Sequence, residues 1–241
     1  MQRYFATYDS NNNIVFLPDD IFHMSHVMRM KQGDKVEVNC DGDLFVVEIE
    51  SFTPFKFSIL NKIIENHELN GFVRLLYCLP KGEKTDLVIQ KATELGVDEV
   101  VLINSTRSVS KINNDNIDKK IVRYNKIIKE ASEQSKRNKL MKLTDVITFK
   151  DLKNYPGDYN FIAYEATQNN LNDLKNIFLN NDFTNKTINI IIGAEGGLTK
   201  EEVDIAMKLG YTEISLGKRI LRSETASIYI LSLISFFLES K

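Results

Sequence analysis

The chain has 241 residues, which is enough for one large domain or two smaller ones with a sizeable core. Its 31 basic and 33 acidic residues nearly balance, which argues against binding nucleic acid through net charge, and Cys40 and Cys78 are too few and too far apart for a disulfide framework or a zinc site. The amino end lacks the apolar stretch of a signal peptide, and the longest apolar run, residues 226–238, is shorter than the roughly 20 residues of a membrane span. We therefore expect a soluble cytoplasmic protein.

The first 68 residues are typical of a small β-barrel interrupted by one helix. Runs of β-type residues predict strands at residues 3–5, 14–17, 36–39, 44–49 and 55–64. The Asp-Gly step at residues 41–42 predicts a hairpin, and a helix is expected at residues 19–30. His23 and His26 lie on that helix, and we prefer a half-exposed helix face to a metal pair because no third ligand is evident. With six basic and eleven acidic residues, this segment is not an obvious electrostatic clamp for RNA.

After a linker at residues 66–71, strands alternate with helices. A strand at residues 72–79, a helix from residue 84 or 85 to residue 95 and a strand at residues 100–104 have the spacing of a βαβ unit. Such a unit implies a parallel sheet with a right-handed crossover. The sequence therefore predicts an α/β domain after the barrel.

A long helix is predicted at residues 117–137, because apolar residues recur there at steps of three and four. Residues 111–142 contain ten Lys and Arg against four Asp and Glu. A charge run on a helix is usually a solvated face, and residues 136–139 also complement the helix dipole. The alternative is that this basic stretch contacts the backbone of an RNA.

The last fifty residues form the segment on which the functional prediction depends. Before this segment we predict a strand at residues 161–164 and a helix at residues 171–179. Within it we predict strands at residues 188–192 and 211–216, and helices at residues 199–210 and from about 226 to the end. The middle helix begins with a capping-box pattern at Thr199 and Glu202. The last helix is apolar on nearly all sides, which indicates burial in the core and at a subunit interface.

Two glycine-bearing loops, at residues 193–197 and 217–222, follow two of these strands. The first loop matches neither the dinucleotide-binding nor the P-loop pattern. A plain strand-to-helix turn would need one glycine, whereas this loop has three. Since open α/β sheets bind ligands at the carboxyl ends of their strands, the two loops predict one shared ligand site.

The two loops resemble the signature of the RsmE family. The matching sequences are GAEGG at residues 193–197 and LGKRILRSETA at residues 216–226, and KATELGV at residues 91–97 and EASEQSKR at residues 130–137 also match. Near the amino end, HVMRMKQGD at residues 26–34 is similar to the family's PUA-like barrel. The resemblance covers nearly the whole chain. One departure is Ala194, where the family usually has proline.

RsmE proteins methylate N3 of a uridine in small-subunit (16S) ribosomal RNA and use S-adenosylmethionine. The resemblance therefore implies an α/β fold with a SPOUT-type knotted parallel sheet, a deep trefoil knot, over residues 72–241. It also implies an RNA-docking, PUA-like β-barrel at residues 1–68, a homodimer and no metal. A SPOUT methyltransferase with another target nucleotide and a non-catalytic RNA-binding or ribosome-assembly protein are the alternatives.

The resemblance and the two loops together give a set of expected site residues. For the cofactor they are Glu165, Ile192, Gly193, Gly196, Gly197, Leu216, Gly217, Ile220, Leu221, Thr225 and Ala226. For RNA they are Arg137, as the first choice for a phosphate contact, then Lys81 and Lys84 by position, and Arg29.

Uridine N3 carries a proton at neutral pH, so its methylation needs a base or a group that stabilises the uracil anion. Arg219 and Arg222 are the candidates for the anion, and Glu195 and Glu224 are the candidate bases. A glutamate in the first turn of a helix is also stabilising without any catalytic role. The sequence does not choose among these four residues.

Overall fold

The computed structural model describes residues 1–80, 84–107, 114–164 and 174–239, and the chain divides into two compact units. The amino-terminal unit comprises Met1–Glu68 and Lys129–Leu140, and the carboxyl-terminal unit comprises Leu69–Ile128 and Met141–Lys241. The sequence pattern does not predict that residues 129–140 group with the first unit.

The amino-terminal unit is built on a five-stranded sheet. Its strands are β1 (Arg3–Tyr8), β2 (Ile14–Val15), β3 (Lys35–Cys40), β4 (Asp43–Phe52) and β5 (Phe55–Ile63), in the spatial order β2-β1-β3-β4-β5. β1 and β3 are parallel, and the other neighbours are antiparallel. The predicted hairpin at Asp41 and Gly42 is confirmed, because their φ angles of 51° and 93° are the positive values that a tight two-residue hairpin requires.

The helix predicted at residues 19–30 is only partly α-helical. α1 (Pro18–Phe22) continues into a π-helical segment, His23–Val27, in which the Met28 N–H donates to the His23 carbonyl at 2.9 Å. The hydroxyl of Ser25 donates to the Ile21 carbonyl at 2.9 Å, one turn earlier. The wider turn brings Met24 fully into the core of this unit.

Residues 129–140 carry basic side chains that bind carboxylates of the same unit. Lys129 contacts Glu133 at 2.6 Å and also binds Asp20, and Lys136 contacts Glu37 at 2.9 Å. In these pairs, part of the positive charge of the basic stretch is neutralised by carboxylates of the protein itself. They therefore weaken the expectation that the stretch as a whole faces RNA.

The carboxyl-terminal unit is an α/β structure with six parallel strands. The strands are β6 (Phe72–Cys78), β7 (Glu99–Ile103), β8 (Lys142–Ile147), β9 (Tyr159–Ala163), β10 (Thr187–Ile192) and β11 (Thr212–Ile214), in the order β11-β9-β10-β6-β7-β8. The helices are α2 (Lys84–Glu94), α3 (Asn114–Gln134), which ends in the other unit, α4 (Leu174–Asn180), α5 (Lys200–Lys208) and α6 (Ser223–Leu238). The predicted parallel sheet and α/β class are confirmed.

Both faces of this sheet are covered, as a parallel sheet requires. Leu75 and Tyr77 of β6 point to one face and join a core with residues of α2 and α6, whereas Leu76 and Cys78 join a core with residues of α5. This alternation follows from the two-residue period of a strand. β8 and the short 3₁₀ helix after it, Phe149–Asn154, were not predicted from the sequence.

α6 is not buried on all sides. Ala226, Ile230 and Ile234 lie in the core, but Tyr229 is 43% exposed and Phe236 is 76% exposed. The apolar surface that the core leaves uncovered is therefore the side of α6 that carries Tyr229 and Phe236. Among the described residues, none of the helices combines the length and the apolar character needed to cross a bilayer.

Candidate functional site

A pocket with a volume of about 260 Å³ opens at the carboxyl ends of β9, β10 and β11. This volume is just below the usual range for small-molecule sites, about 300 to 1,000 Å³. The residues lining the pocket are Ala163, Tyr164, Ile192, Gly193, Ala194, Glu195, Gly197, Leu198, Ile214, Ser215, Leu216, Gly217, Arg219, Ile220, Leu221, Arg222, Ser223 and Ala226.

Most of the residues expected around a cofactor lie at this pocket. Those that line it are Ile192, Gly193, Gly197, Leu216, Gly217, Ile220, Leu221 and Ala226, together with the catalytic candidates Glu195, Arg219 and Arg222. Gly196, Thr225 and Glu224 do not line it, and Glu165 lies outside the described residues. The structure therefore brings the two glycine loops to one site, as the sequence predicts.

The first loop makes a tight turn between β10 and α5. The Gly197 N–H donates to the Ala194 carbonyl at 2.9 Å, and Gly197 has a φ of 68°, which L side chains rarely adopt. Ala194 is buried and packs in the core, so the turn forms here without the family's usual proline. Thr199 and Glu202 make the predicted capping box at the start of α5.

Arg107 supports the first loop from the end of β7, and the sequence gives no signal for this role. One of its guanidinium nitrogens donates to the carbonyls of Gly196 at 3.0 Å and Leu198 at 3.3 Å. A Cβ atom added at Gly196 would lie 3.0 Å from the Arg107 Cβ, which is tighter than most Cβ contacts, so Arg107 would have to shift to accommodate a side chain there. The carboxylate of Glu202 also accepts from the Thr106 N–H at 2.7 Å. The segment after β7 therefore holds the first glycine loop in place.

The second loop, residues 217–222, lies between β11 and α6. Gly217 has a φ of 108°, and both Arg219 and Arg222 are exposed along the loop. At its end, the Ser223 hydroxyl donates to the Gly193 carbonyl at 2.6 Å and lies 3.3 Å from the Tyr77 hydroxyl. Ser223 thus fastens the second loop to the first at the floor of the pocket.

Tyr77 is a buried phenol beneath the two loops. Burial raises its pKa, and the carboxylates of Glu224 and Glu195 raise it further, although the hydrogen bond with Ser223 acts in the opposite direction. The hydroxyl therefore stays protonated at neutral pH. It serves as a neutral hydrogen-bonding group and not as a base.

Lys84, expected to contact RNA, binds two carboxylates in this structure. Its ammonium lies 3.0 Å from Glu195 Oε1 and 3.5 Å from Glu224 Oε2. The hydrogen bond with Glu195 raises the pKa of Lys84, and the charge of Glu224 adds to this effect. The two candidate bases therefore share one cation from the first turn of α2.

The structure does not favour the phosphate contact expected for Arg137, because the side chain is buried. It is 2% exposed, and its guanidinium binds the Glu68 carboxylate at 2.5 Å within the amino-terminal unit. A guanidinium that is already paired and desolvated does not present itself to a phosphate. Arg29 is exposed and has a φ of 54°, whereas Lys81 lies outside the described residues.

The two cysteines lie in separate cores of the protein. Cys40 and Cys78 are both buried free thiols, and burial raises the pKa of each, which disfavours the thiolate. Within the part of the chain that the structure describes, no cluster of three or more His, Cys, Asp or Glu could hold a metal ion.

Comparison with known proteins decides the family. Residues 67–235 match the model of an RNA methyltransferase domain. The chain is also 34% identical to the ribosomal RNA small subunit methyltransferase E of Bacillus subtilis, over 98% of this chain and 96% of that protein. This chain belongs to the RsmE family.

Other relatives extend the similarity. The RsmE protein of Mesomycoplasma hyopneumoniae is 39% identical over 73% of this chain and 75% of its own length. Among solved structures, a hypothetical protein has a TM-score of 0.86 and 33% identity, with 99% of both chains covered. A Legionella pneumophila protein, solved in complex with the bound cofactor SAM, has a TM-score of 0.85 and 25% identity, with 98% of both chains covered.

Proposed function

We propose that this protein transfers a methyl group from S-adenosylmethionine to N3 of a uridine in small-subunit (16S) ribosomal RNA. The observation that carries the proposal is the pocket at the ends of three parallel strands, where the two glycine loops of an RsmE-family chain meet. The names of the curated relatives give the substrate class, and the uridine N3 target follows from the family.

The residues of the pocket fit S-adenosylmethionine. Ile192, Leu216 and Leu221 provide apolar surface for an adenine ring, while the glycine loops bring backbone N–H and C=O groups to its edge. Gly217 lines the pocket, and no atom lies within 4 Å of the position that a Cβ atom would take there. The second loop therefore leaves open space at the pocket. The carboxylate of Glu195 offers a negative charge to a cationic cofactor.

The bound cofactor supplies an electrophilic methyl group, and the chain's own residues prepare the uridine. N3 carries a proton at neutral pH, so a carboxylate at the pocket must accept it. Arg219 and Arg222 place positive charge at the same pocket, where it stabilises the uracil anion that forms. Holding the reacting atoms in line provides the rest of the rate enhancement.

The fold supports finer proposals. Residues 72–241 form a SPOUT methyltransferase domain with a deep trefoil knot, a proposal supported by the parallel order in which β10 lies between β9 and β6. Residues 1–68 form a PUA-like barrel that docks on RNA, a proposal supported by the five-stranded sheet of that unit. The substrate is a small-subunit particle in the cytoplasm, where ribosomal subunits assemble.

A homodimer through the exposed side of α6 is part of the same proposal. Tyr229, Phe236 and Phe237 are 43%, 76% and 41% exposed, which is unusual for aromatic side chains on one helix. Exposed apolar patches on soluble proteins mark interaction surfaces. A second copy of the chain would cover this side of α6.

The experiment is methyl transfer in vitro. The purified protein is incubated with methyl-labelled S-adenosylmethionine and small-subunit particles from cells that lack it, and the labelled nucleoside is identified by mass spectrometry. We expect the label in 3-methyluridine. Label in another nucleoside would indicate a methyltransferase with a different target, and cofactor binding without any transfer would indicate a non-catalytic RNA-binding protein.

A further inference from the structure

Lys84, Glu195 and Glu224 form a cluster that joins three segments of the carboxyl-terminal unit. Lys84 begins α2, Glu195 lies in the first glycine loop, and Glu224 lies in the first turn of α6. One ammonium therefore faces two carboxylates that are 29 residues apart in sequence. Such a cluster is not explained by helix capping, because it bridges separate elements.

The two carboxylates differ in their surroundings. The Glu224 side chain is 15% exposed, and its Oε2 atom is buried. Among the described residues, the polar group that faces this atom is the Lys84 ammonium, at 3.5 Å. The Glu195 side chain is 36% exposed, contacts Lys84 at 3.0 Å and lines the pocket, which Glu224 does not. Glu195 can therefore meet a substrate, whereas Glu224 is placed to hold Lys84.

We propose that Glu195 is the residue that accepts the N3 proton, and that Lys84, anchored by Glu224, is a positioning residue that keeps the Glu195 carboxylate ionised and oriented at the pocket. This inference rests on the proposed function. It chooses between the two candidate bases that the sequence leaves open, and it gives Lys84 a role other than binding RNA.

The reaction balances with these groups alone. The N3–H bond breaks, its proton goes to a carboxylate oxygen of Glu195, and its electron pair stays on N3. That pair forms the new N3–CH₃ bond, and the methyl–sulfur bond breaks with its electrons left on sulfur. Lys84 stays protonated throughout, because the ordinary pKa of a lysine ammonium, about 10.4, lies well above neutral pH even after Glu195 has taken up the proton.

Several other groups bear on the charge of Glu195. Arg219 and Arg222 line the same pocket, and the buried Tyr77 feels the charge of Glu195 from β6. Arg107 binds the carbonyl of the neighbouring Gly196. The arginines remain in place in a Lys84 variant, so a change in the pH dependence of that variant reports on the ammonium itself.

The kinetic test compares four variants. Glu195→Gln should lower kcat by about 10²- to 10⁴-fold, the usual contribution of a general base, with cofactor affinity retained. Glu224→Gln should lower it less. Lys84→Met should move the acidic limb of the kcat profile to higher pH by up to about 1 unit, because an opposite charge stabilises a carboxylate and solvent partly screens this half-exposed pair. Lys84→Arg, which keeps the positive charge, should leave the acidic limb at its wild-type pH.

A matched control is Lys91→Met. Lys91 lies on the same helix, is 37% exposed against 35% for Lys84, and binds only Glu94 of that helix among the contacts described, at 2.8 Å. This variant should keep the wild-type profile. A Lys84→Met profile that coincides with that of the wild type would overturn the proposal, as would a Glu224→Gln loss equal to or larger than that of Glu195→Gln.

A second readout needs neither cofactor nor RNA. Trace labelling of lysines with acetic anhydride, followed by mass spectrometry, gives the reactivity of Lys84 relative to Lys91 in the same molecule. The ratio should rise in Glu195→Gln, because the ammonium loses its nearer carboxylate, and rise less in Glu224→Gln. An unchanged ratio in Glu195→Gln would show that Glu195 does not hold Lys84 and would overturn the inference. If the ratio rises as expected but the wild-type protein transfers no methyl group, only the proposed function is overturned.

Discussion

Replacing Gly197 with valine should separate cofactor binding from folding. Gly197 has a φ of 68°, and this region costs an L residue about 1 to 3 kcal/mol, more for a β-branched one. In the variant, the loop can relieve this strain by adopting another conformation, in which the 2.9 Å hydrogen bond from the N–H of residue 197 to the Ala194 carbonyl is broken. If the turn must form again when the cofactor binds, the same energy weakens binding by about 5- to 150-fold, at about 1.4 kcal/mol for each factor of ten.

The assay is calorimetry with S-adenosylmethionine, combined with thermal unfolding. The matched control is Gly210→Val: Gly210 has a φ of 86°, a Cβ there meets nothing within 4 Å, and the residue lies after α5 and outside the pocket. The control should lose stability, with a midpoint lower by about 2 to 12 °C, and keep its affinity. Unchanged affinity in Gly197→Val would refute the assignment of this loop to the cofactor.

Three further variants test separate parts of the account. Phe236→Lys should convert a wild-type dimer into a monomer in light scattering, because it places a charge on the exposed side of α6; a wild-type monomer would contradict the dimer. Arg137→Ala should lower the free energy of unfolding by about 3 to 5 kcal/mol, since it leaves the Glu68 carboxylate buried and unpaired, without changing the salt dependence of RNA binding. Arg107→Ala should weaken cofactor binding about 30-fold, because two hydrogen bonds to the first loop are lost, each worth about 1 kcal/mol; equal affinity by calorimetry would argue against this support.

The features that the sequence predicts well depend on local patterns. The β-branched run at residues 188–192 is β10, the Asp-Gly step forms its hairpin, and Thr199 and Glu202 form the capping box. Each of these follows from a few consecutive residues, because turn and cap geometry need particular side chains at fixed spacings. β8 was missed because it is an edge strand whose described side chains are at most half-buried, so it lacks a continuous apolar run.

The features that the sequence predicts poorly depend on contacts between distant residues. Arg137 carries a family motif at a helix end, yet its partner Glu68 is 69 residues away and buries it. Lys84 and Arg107 likewise acquire their roles from the glycine loop more than 80 residues later. A charged residue looks the same in sequence whether its partner is a phosphate or a carboxylate, and only the tertiary structure distinguishes the two.

The central claim is tested most directly by mapping methyl groups on small-subunit ribosomal RNA from cells that lack this protein. Mass spectrometry of RNA fragments from these cells and from the parent should show the loss of one 3-methyluridine, with every other methyl group unchanged. The wild-type protein should restore it, and the Glu195→Gln variant should not. A methyl map identical to that of the parent cells would contradict the account.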